Sequence, residues 1–147
     1  YRPGPMDYIA TFIRQKHSKK AVKYMIPCSE KYLHNTYGII VYQEQIMMLS
    51  RLIANFDRGE SDLLRKALGK KKMDVLSVLK LRFIQGGIKN GHKKNALEKV
   101  WNEMEAKGMY AFQKSHAVCY TWLAYQIAYL KANYPDEFKQ ALEKYSD

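Results

Sequence analysis

From Tyr42 onward the apolar side chains Tyr42, Ile46, Leu49, Ile53 and Phe56 return at alternating steps of four and three residues. That spacing lines one face of an α-helix and no face of a strand. A stripe of this kind is stable only when neighbouring elements cover it, and related patterns recur along most of the chain. The expected fold is therefore mainly α: a single compact multi-helix domain over residues 1–147, with at most a short extended segment near residues 38–41. The length suits one core and no second independent domain. A hydrophobic content of 47% with 27% charged residues supplies that core and argues against general disorder.

Local signals set the expected boundaries. Pro3 and Pro5 hold residues 1–6 extended, and Asp7 sits where a cap would open a first helix over about 7–17. Pro27 interrupts, Ser29 caps a short turn through EKYLHN, and Gly38 releases the chain into IIVY. The helix begun at Tyr42 is expected to end near Gly59, with Ser61 capping the next. A further helix through MDVLSVLKLRFI is expected to stop at Gly86–Gly87, leaving KNGHKKN as a basic loop before ALEKVWNEMEAK. Residues 115–132 carry two apolar stripes at once, Tyr120, Leu123, Ile127 and Leu130 beside Val118, Trp122, Tyr125 and Tyr129. Such a helix is expected to be buried on most sides. Pro135 opens a last short helix at a position where its missing N–H costs little.

Charge narrows the function. Lys and Arg number 25 against 14 Asp and Glu, a formal +11, which draws polyanions before any specific contact forms. Ten cations and two acids fall between residues 62 and 94, and LLRKALGKKK (63–72) holds five cations and no acid. Five more, Arg14, Lys16, Lys19, Lys20 and Lys23, occupy 14–23. A solvated helix face, a polyphosphate site and a lipid-surface anchor all accommodate such runs, the last less well because no aromatic-rich face opposes the charge. The spacing of a phosphate-binding P-loop is absent, since Lys72 precedes Met73 and not Ser or Thr. The longest nearly apolar run, residues 117–130, is too short to span a bilayer, and the YRPGPMD start lacks the pattern of a signal peptide. A start at Tyr1 suggests an excised piece of a longer chain. Cys28 and Cys119 lack metal-ligand spacing and are expected as reduced thiols of an intracellular protein. His17, His34 and His92 show no ligand spacing either, and the scattered acids offer no carboxylate cage, so no metal site is expected.

The second constellation is YAFQKSHAVCY, residues 110–120, where two aromatics, a Lys and a His meet the start of a helix. In one reading Ser115 caps the helix while Tyr110 and Phe112 staple it to the core. In the other, Lys114 and His116 meet phosphate oxygens at the helix N-terminus and Tyr110 offers its ring to a base.

Taken in order, YRPGPMD, TYGIIVYQEQIM, DLLRKALGKKK, YAFQKSHAVCY and YQIAYLKANYPDEF resemble the C-family replicative polymerases, the catalytic alpha subunits of bacterial DNA polymerase III. The resemblance covers nearly the whole chain, which looks like their fingers domain following an absent palm. It implies that Arg65 and Lys66, matching adjacent cations in the family's DLLRRAMGKKK, contact the triphosphate of the incoming deoxynucleotide together with Lys70. Here Lys66 replaces an Arg, removing a bidentate fork, and Leu68 replaces a Met. Tyr110, Lys114 and His116 match the family's YGFNKSHA, with Ala111 for Gly and Gln113 for Asn. Ala111 would be strained if that position needs a positive φ. Lys71, Lys72, Arg82, Lys93 and Lys94 are then expected on the DNA backbone.

The resemblance further implies a primer-template, deoxynucleotides and other replicase subunits as partners, a bacterial cytoplasmic setting at the nucleoid and no membrane. It implies Mg²⁺ in the full-length enzyme, held by palm carboxylates upstream of Tyr1, so this piece is expected to bind and not to polymerise. The rival expectation is a non-catalytic helical module whose cations cover nucleic-acid phosphates without a nucleotide pocket.

Overall fold

A computed structural model describes residues 5–18 and 22–145. Among them are eight α-helices and no strand: α1 Ile9–His17, α2 Glu30–Leu33, α3 Gln43–Ala54, α4 Arg58–Gly69, α5 Met73–Lys89, α6 Lys94–Gly108, α7 Lys114–Asn133 and α8 Pro135–Tyr145. The mainly α expectation is met. The helices fall into two compact units, Tyr1–Phe112 and Gln113–Asp147. Of the expected extended entry, residues 1–4 lie outside the described residues, as do Lys19 and Lys20. Pro5–Tyr8 already form a 3₁₀ turn leading into α1, and Asp7 does not cap that helix.

In the first unit α3 is central, packing on α4 and α5, with α6 against α5 and α4. The predicted stripe faces inward: Ile46, Leu49 and Ile53 are at most 1% exposed, and Phe56 is buried beyond the helix end. Leu64, Ala67 and Leu68 of α4, Leu76, Leu79 and Phe83 of α5, and Leu97, Val100, Trp101 and Met104 of α6 complete the core. Phe83 sits at its middle, edge-on to Phe56 at 6.1 Å and tilted on Trp101 at 5.5 Å. Such aromatic pairs add about 0.5–1.5 kcal/mol beyond the area they bury.

Two predicted helix ends are corrected. α3 stops at Ala54, where Asn55 turns left-handed with φ 55°. α4 is opened by Asp57 and not by Ser61: Asp57 Oδ1 accepts from the Glu60 N–H at 2.7 Å, and Glu60 Oε2 accepts from the Asp57 N–H at 2.9 Å. This reciprocal capping box satisfies two otherwise orphaned donors, whereas Ser61 lies inside the helix, fully buried.

A third correction concerns Gly86–Gly87. α5 runs straight through both, because a missing Cβ there serves close packing. A Cβ on Gly86 would collide with the Ala54 carbonyl oxygen and stand 2.7 Å from Arg82 Nη1; one on Gly87 would collide with Leu97 Cδ2. The basic loop expected at 89–95 shrinks accordingly to Asn90–Lys93.

Near the short extended segment expected at 38–41, Tyr42 is extended (φ −109°, ψ 144°) and makes an isolated parallel bridge with Phe112, while Gly38 turns left-handed with φ 82°. Gln45 holds this segment. Its Oε1 accepts from the N–H groups of Val41 and Tyr42 at 2.8 and 2.9 Å, and its Nε2 donates to Tyr32 O and Thr36 Oγ1 at 3.0 and 2.8 Å.

The second unit is an α7–α8 pair. The expectation that α7 is largely buried is not met: none of its residues is buried, and Trp122 and Tyr125 are 63% and 65% exposed. A helix apolar on all sides needs several neighbours, and α8 is the other helix of this unit. No helix among the described residues is long and apolar enough to cross a membrane.

Candidate functional site

The basic segment begins on the outer side of α4. Leu64, Ala67 and Leu68 turn into the core, and the helical period therefore sends Asp62, Arg65 and Lys66 toward solvent. One carboxylate binds both cations. Asp62 Oδ1 accepts from Arg65 Nε at 2.9 Å and Nη2 at 2.7 Å, while Asp62 Oδ2 lies 2.6 Å from Lys66 Nζ. These i,i+3 and i,i+4 spacings place the three groups on one helical surface. The hydrogen bond from Lys66, then that from Arg65, holds the Asp62 carboxyl below the ordinary carboxylate range.

Past Arg65 and Lys66 the helix ends in a cationic turn. The N–H of Lys70 donates to Lys66 O at 3.1 Å, that of Lys71 to Leu68 O at 3.3 Å and that of Lys72 to Ala67 O at 3.0 Å. Lys71 is left-handed at φ 51°. Backbone bonds of this kind satisfy the last carbonyls of α4, and cations are favoured at the negative end of the helix dipole. All three lysines are exposed.

Tyr110 lies just past the end of α6. Gly108 closes α6 against α4, since a Cβ there would stand 2.7 Å from Leu68 Cδ1, and the Tyr110 N–H donates to Lys107 O at 3.0 Å. The chain therefore leaves α6 beside Leu68, near the C-terminal end of α4. Tyr110 lines a mostly apolar cavity of about 220 Å³ together with Tyr8, Phe12, Ile40, Phe112 and Lys107. Phe112 is bridged to the 39–42 segment: its N–H donates to Val41 O at 2.9 Å, and its carbonyl accepts from the Gln43 N–H at 2.8 Å. Ala111 is absent from the non-glycine residues with positive φ, so the substitution of Ala for Gly carries no backbone strain here.

Lys114 and His116 belong to the second unit, in the first turn of α7, and both are exposed. Gln113, not Ser115, is the N-cap. The His116 ring lies 4.5 Å from that of Tyr120, edge to face.

The remaining cations separate into kinds. Lys93 and Lys94 open α6 and are exposed, with Lys94 Nζ 3.8 Å from Glu98. Arg82 differs. It donates from Nε to Glu60 Oε1 at 3.1 Å, from Nη1 to Ala54 O at 3.1 Å and from Nη2 to Asn55 O at 3.3 Å, with its guanidinium 5.4 Å from the Phe56 ring. Three of its donors therefore close the end of α3 and clamp it to α4 and α5, a structural task. Asn90 assists, donating from Nδ2 to Ile53 O at 2.8 Å.

Sequence reasoning also missed Lys107, which is 8% exposed, pairs with Glu103 and sits 4.3 Å above the Tyr8 ring. The Glu103–Lys107 spacing is legible in the chain; the burial is not. Among the described residues no three His, Cys, Asp or Glu side chains gather as a metal cage.

Comparison with known proteins fits this arrangement. The model of the bacterial DNA polymerase III alpha subunit finger domain matches residues 1–91. The DNA polymerase III subunit alpha of Aquifex aeolicus is 46% identical over 140 residues, 94% of this chain and 12% of that protein. Those of Thermus aquaticus and Staphylococcus aureus are 45% and 41% identical over 97% and 94% of the chain. The chain spans about 12% of the length of the first of these relatives, and the matches extend past residue 91 across the Tyr110–His116 block.

Proposed function

Because the chain belongs to the bacterial DNA polymerase III alpha subunit finger domain family, we propose that it positions the incoming deoxynucleoside triphosphate and the nascent base pair during template-directed DNA synthesis by a longer polymerase. The observation carrying this reading is the side-by-side exposure of Arg65 and Lys66 on α4, one turn ahead of the Lys70–Lys72 turn. A planar guanidinium next to an ammonium suits a polyphosphate, the first through two parallel hydrogen bonds and the second as a point charge.

In this reading Arg65, Lys66 and Lys70 hold the triphosphate and offset charge that builds on the departing pyrophosphate. Tyr110 lends its ring to the base pair, and Lys114 and His116 add donors from the start of α7, where free N–H groups favour an anion. Lys71, Lys72, Lys93 and Lys94 track the DNA backbone. Arg82, whose side chain is 39% exposed, joins them on the backbone while its other donors hold the α3–α4 junction. The carboxylates expected to hold Mg²⁺ in the full-length enzyme would lie outside residues 1–147, and no step here runs through a metal. The proposed setting is the bacterial cytoplasm, on primer-template DNA, with other replicase subunits as further partners.

Arg65→Ala in the full-length polymerase tests the reading. Single-turnover incorporation is expected to fall by at least about a hundredfold, in line with the loss of a positioned charge donor at a reacting group, while primer-template affinity stays near the parent value. Near-normal incorporation would remove the nucleotide role.

A further inference from the structure

We propose that Asp62 is a built-in competitor for the nucleotide: without substrate its carboxylate occupies Arg65 and Lys66, and the phosphates must take those donors from it. The inference rests on the nucleotide-binding reading above and adds to it the residue that sets how readily the site accepts other anions.

The geometry carries the argument. Arg65 turns its Nε–Nη2 edge to Asp62, both donors converging on Oδ1, and this is an edge a guanidinium can offer to a phosphate. The second Asp62 oxygen holds Lys66, so one carboxylate mimics two oxygens of one phosphoryl group. The Arg65 and Asp62 side chains are 33% and 35% exposed and that of Lys66 is 59% exposed, so a ligand reaches them without opening the core. Exposed ion pairs of this kind contribute little to folding stability, which leaves charge balance as their main effect. Asp62 and Asp74 are the two acids among the ten cations of residues 62–94, and Asp62 is placed on the two cations assigned to the triphosphate. A singly or doubly charged anion gains little by displacing a carboxylate already in place. A polyphosphate, with more charge and more oxygens, gains more, so it is the kind of anion best able to displace the carboxylate.

The test is Asp62→Asn in the full-length polymerase. Asparagine keeps the shape and one acceptor but loses the charge. The Kd of a correct deoxynucleotide, from the concentration dependence of single-turnover incorporation, is expected to fall about threefold. The inhibition constant of inorganic pyrophosphate is expected to fall in parallel, both effects shrinking as salt rises. Asp62→Ser, which also removes the charge, serves if the first variant is poorly folded. An unchanged or raised nucleotide Kd overturns the inference, as does a lower Kd with unaltered pyrophosphate inhibition. Arg65→Ala separates the two levels: severe loss of incorporation with an unchanged Asp62→Asn Kd ends this inference alone, whereas near-normal Arg65→Ala incorporation ends the reading beneath it.

Discussion

Replacing Gly86 by Ala probes the contact that holds α3 and α5 together. The added methyl would collide with the Ala54 carbonyl oxygen and stand 3.0 Å from the Ala54 carbonyl carbon. The obstacle is backbone, which cannot rotate away as a side chain would, so the helices must separate. Overpacking typically costs 1–3 kcal/mol, and a backbone obstacle belongs near about 3 kcal/mol. Separation also stretches the hydrogen bond from Arg82 Nη1 to Ala54 O, now 3.1 Å, at a further cost of about 1 kcal/mol. Against this, Ala is the better helix former by about 1 kcal/mol. The expected net loss is about 3 kcal/mol, or a Tm lower by roughly 6–12 °C for a chain of this size. Urea unfolding with an unchanged slope measures it directly. Gly69→Ala is the control, because nothing lies within 4 Å of the place its added methyl would take; it is expected to lose no stability and to gain about 0.5 kcal/mol. A Gly86→Ala protein within about 0.5 kcal/mol of the parent would refute the close-approach argument.

Gln45→Leu keeps similar volume but removes the acceptor of the Val41 and Tyr42 N–H groups and a donor to Tyr32 O, while Thr36 Oγ1 keeps its own bond to Ile39 O at 2.6 Å. A loss of about 3 kcal/mol is expected in urea unfolding, with faster amide exchange at residues 41 and 42; unaltered exchange there would show that Gln45 does not hold the segment. Tyr8 and Tyr24 have phenols raised above their ordinary 10.0, by burial first and then by Glu103 and Asp7 for Tyr8 and by Glu30 for Tyr24. A raised folded-state value means the folded protein keeps these protons longer than the unfolded chain. Their contribution is complete below about pH 10 and is lost as pH rises through the folded values. Alkaline unfolding followed by phenolate absorbance should show a smaller loss of stability in Tyr8→Phe; an identical pH dependence would contradict the assignment.

The cationic helix end, the Glu103–Lys107 spacing and the stripe on α3 are local patterns, and the structure repeats them nearly residue for residue. The errors arise where a residue's role is fixed by a distant partner. Gly86–Gly87 looks like a stop in any local window, yet both glycines are helical because Ala54 and Leu97 press against them. Arg82 is no such error, but its second role is equally remote: its donors meet carbonyls 27 and 28 residues earlier. Ser61 resembles a cap until Asp57, four residues upstream, forms a better one with Glu60.

What the chain decides alone is its helical period and the positions of its charges, because both follow from neighbours within a turn or two along the backbone. Which cations are spent on the fold and which remain for a ligand is decided in three dimensions. Arg82 donates to the carbonyls of Ala54 and Asn55 at the end of α3, whereas Arg65 and Lys66 meet a carboxylate at the surface. The difference lies in the partner and not in depth, since the Arg82 side chain is 39% exposed against 33% for Arg65: backbone acceptors at a packed helix end need a donor of their own, and an exposed side chain facing water does not.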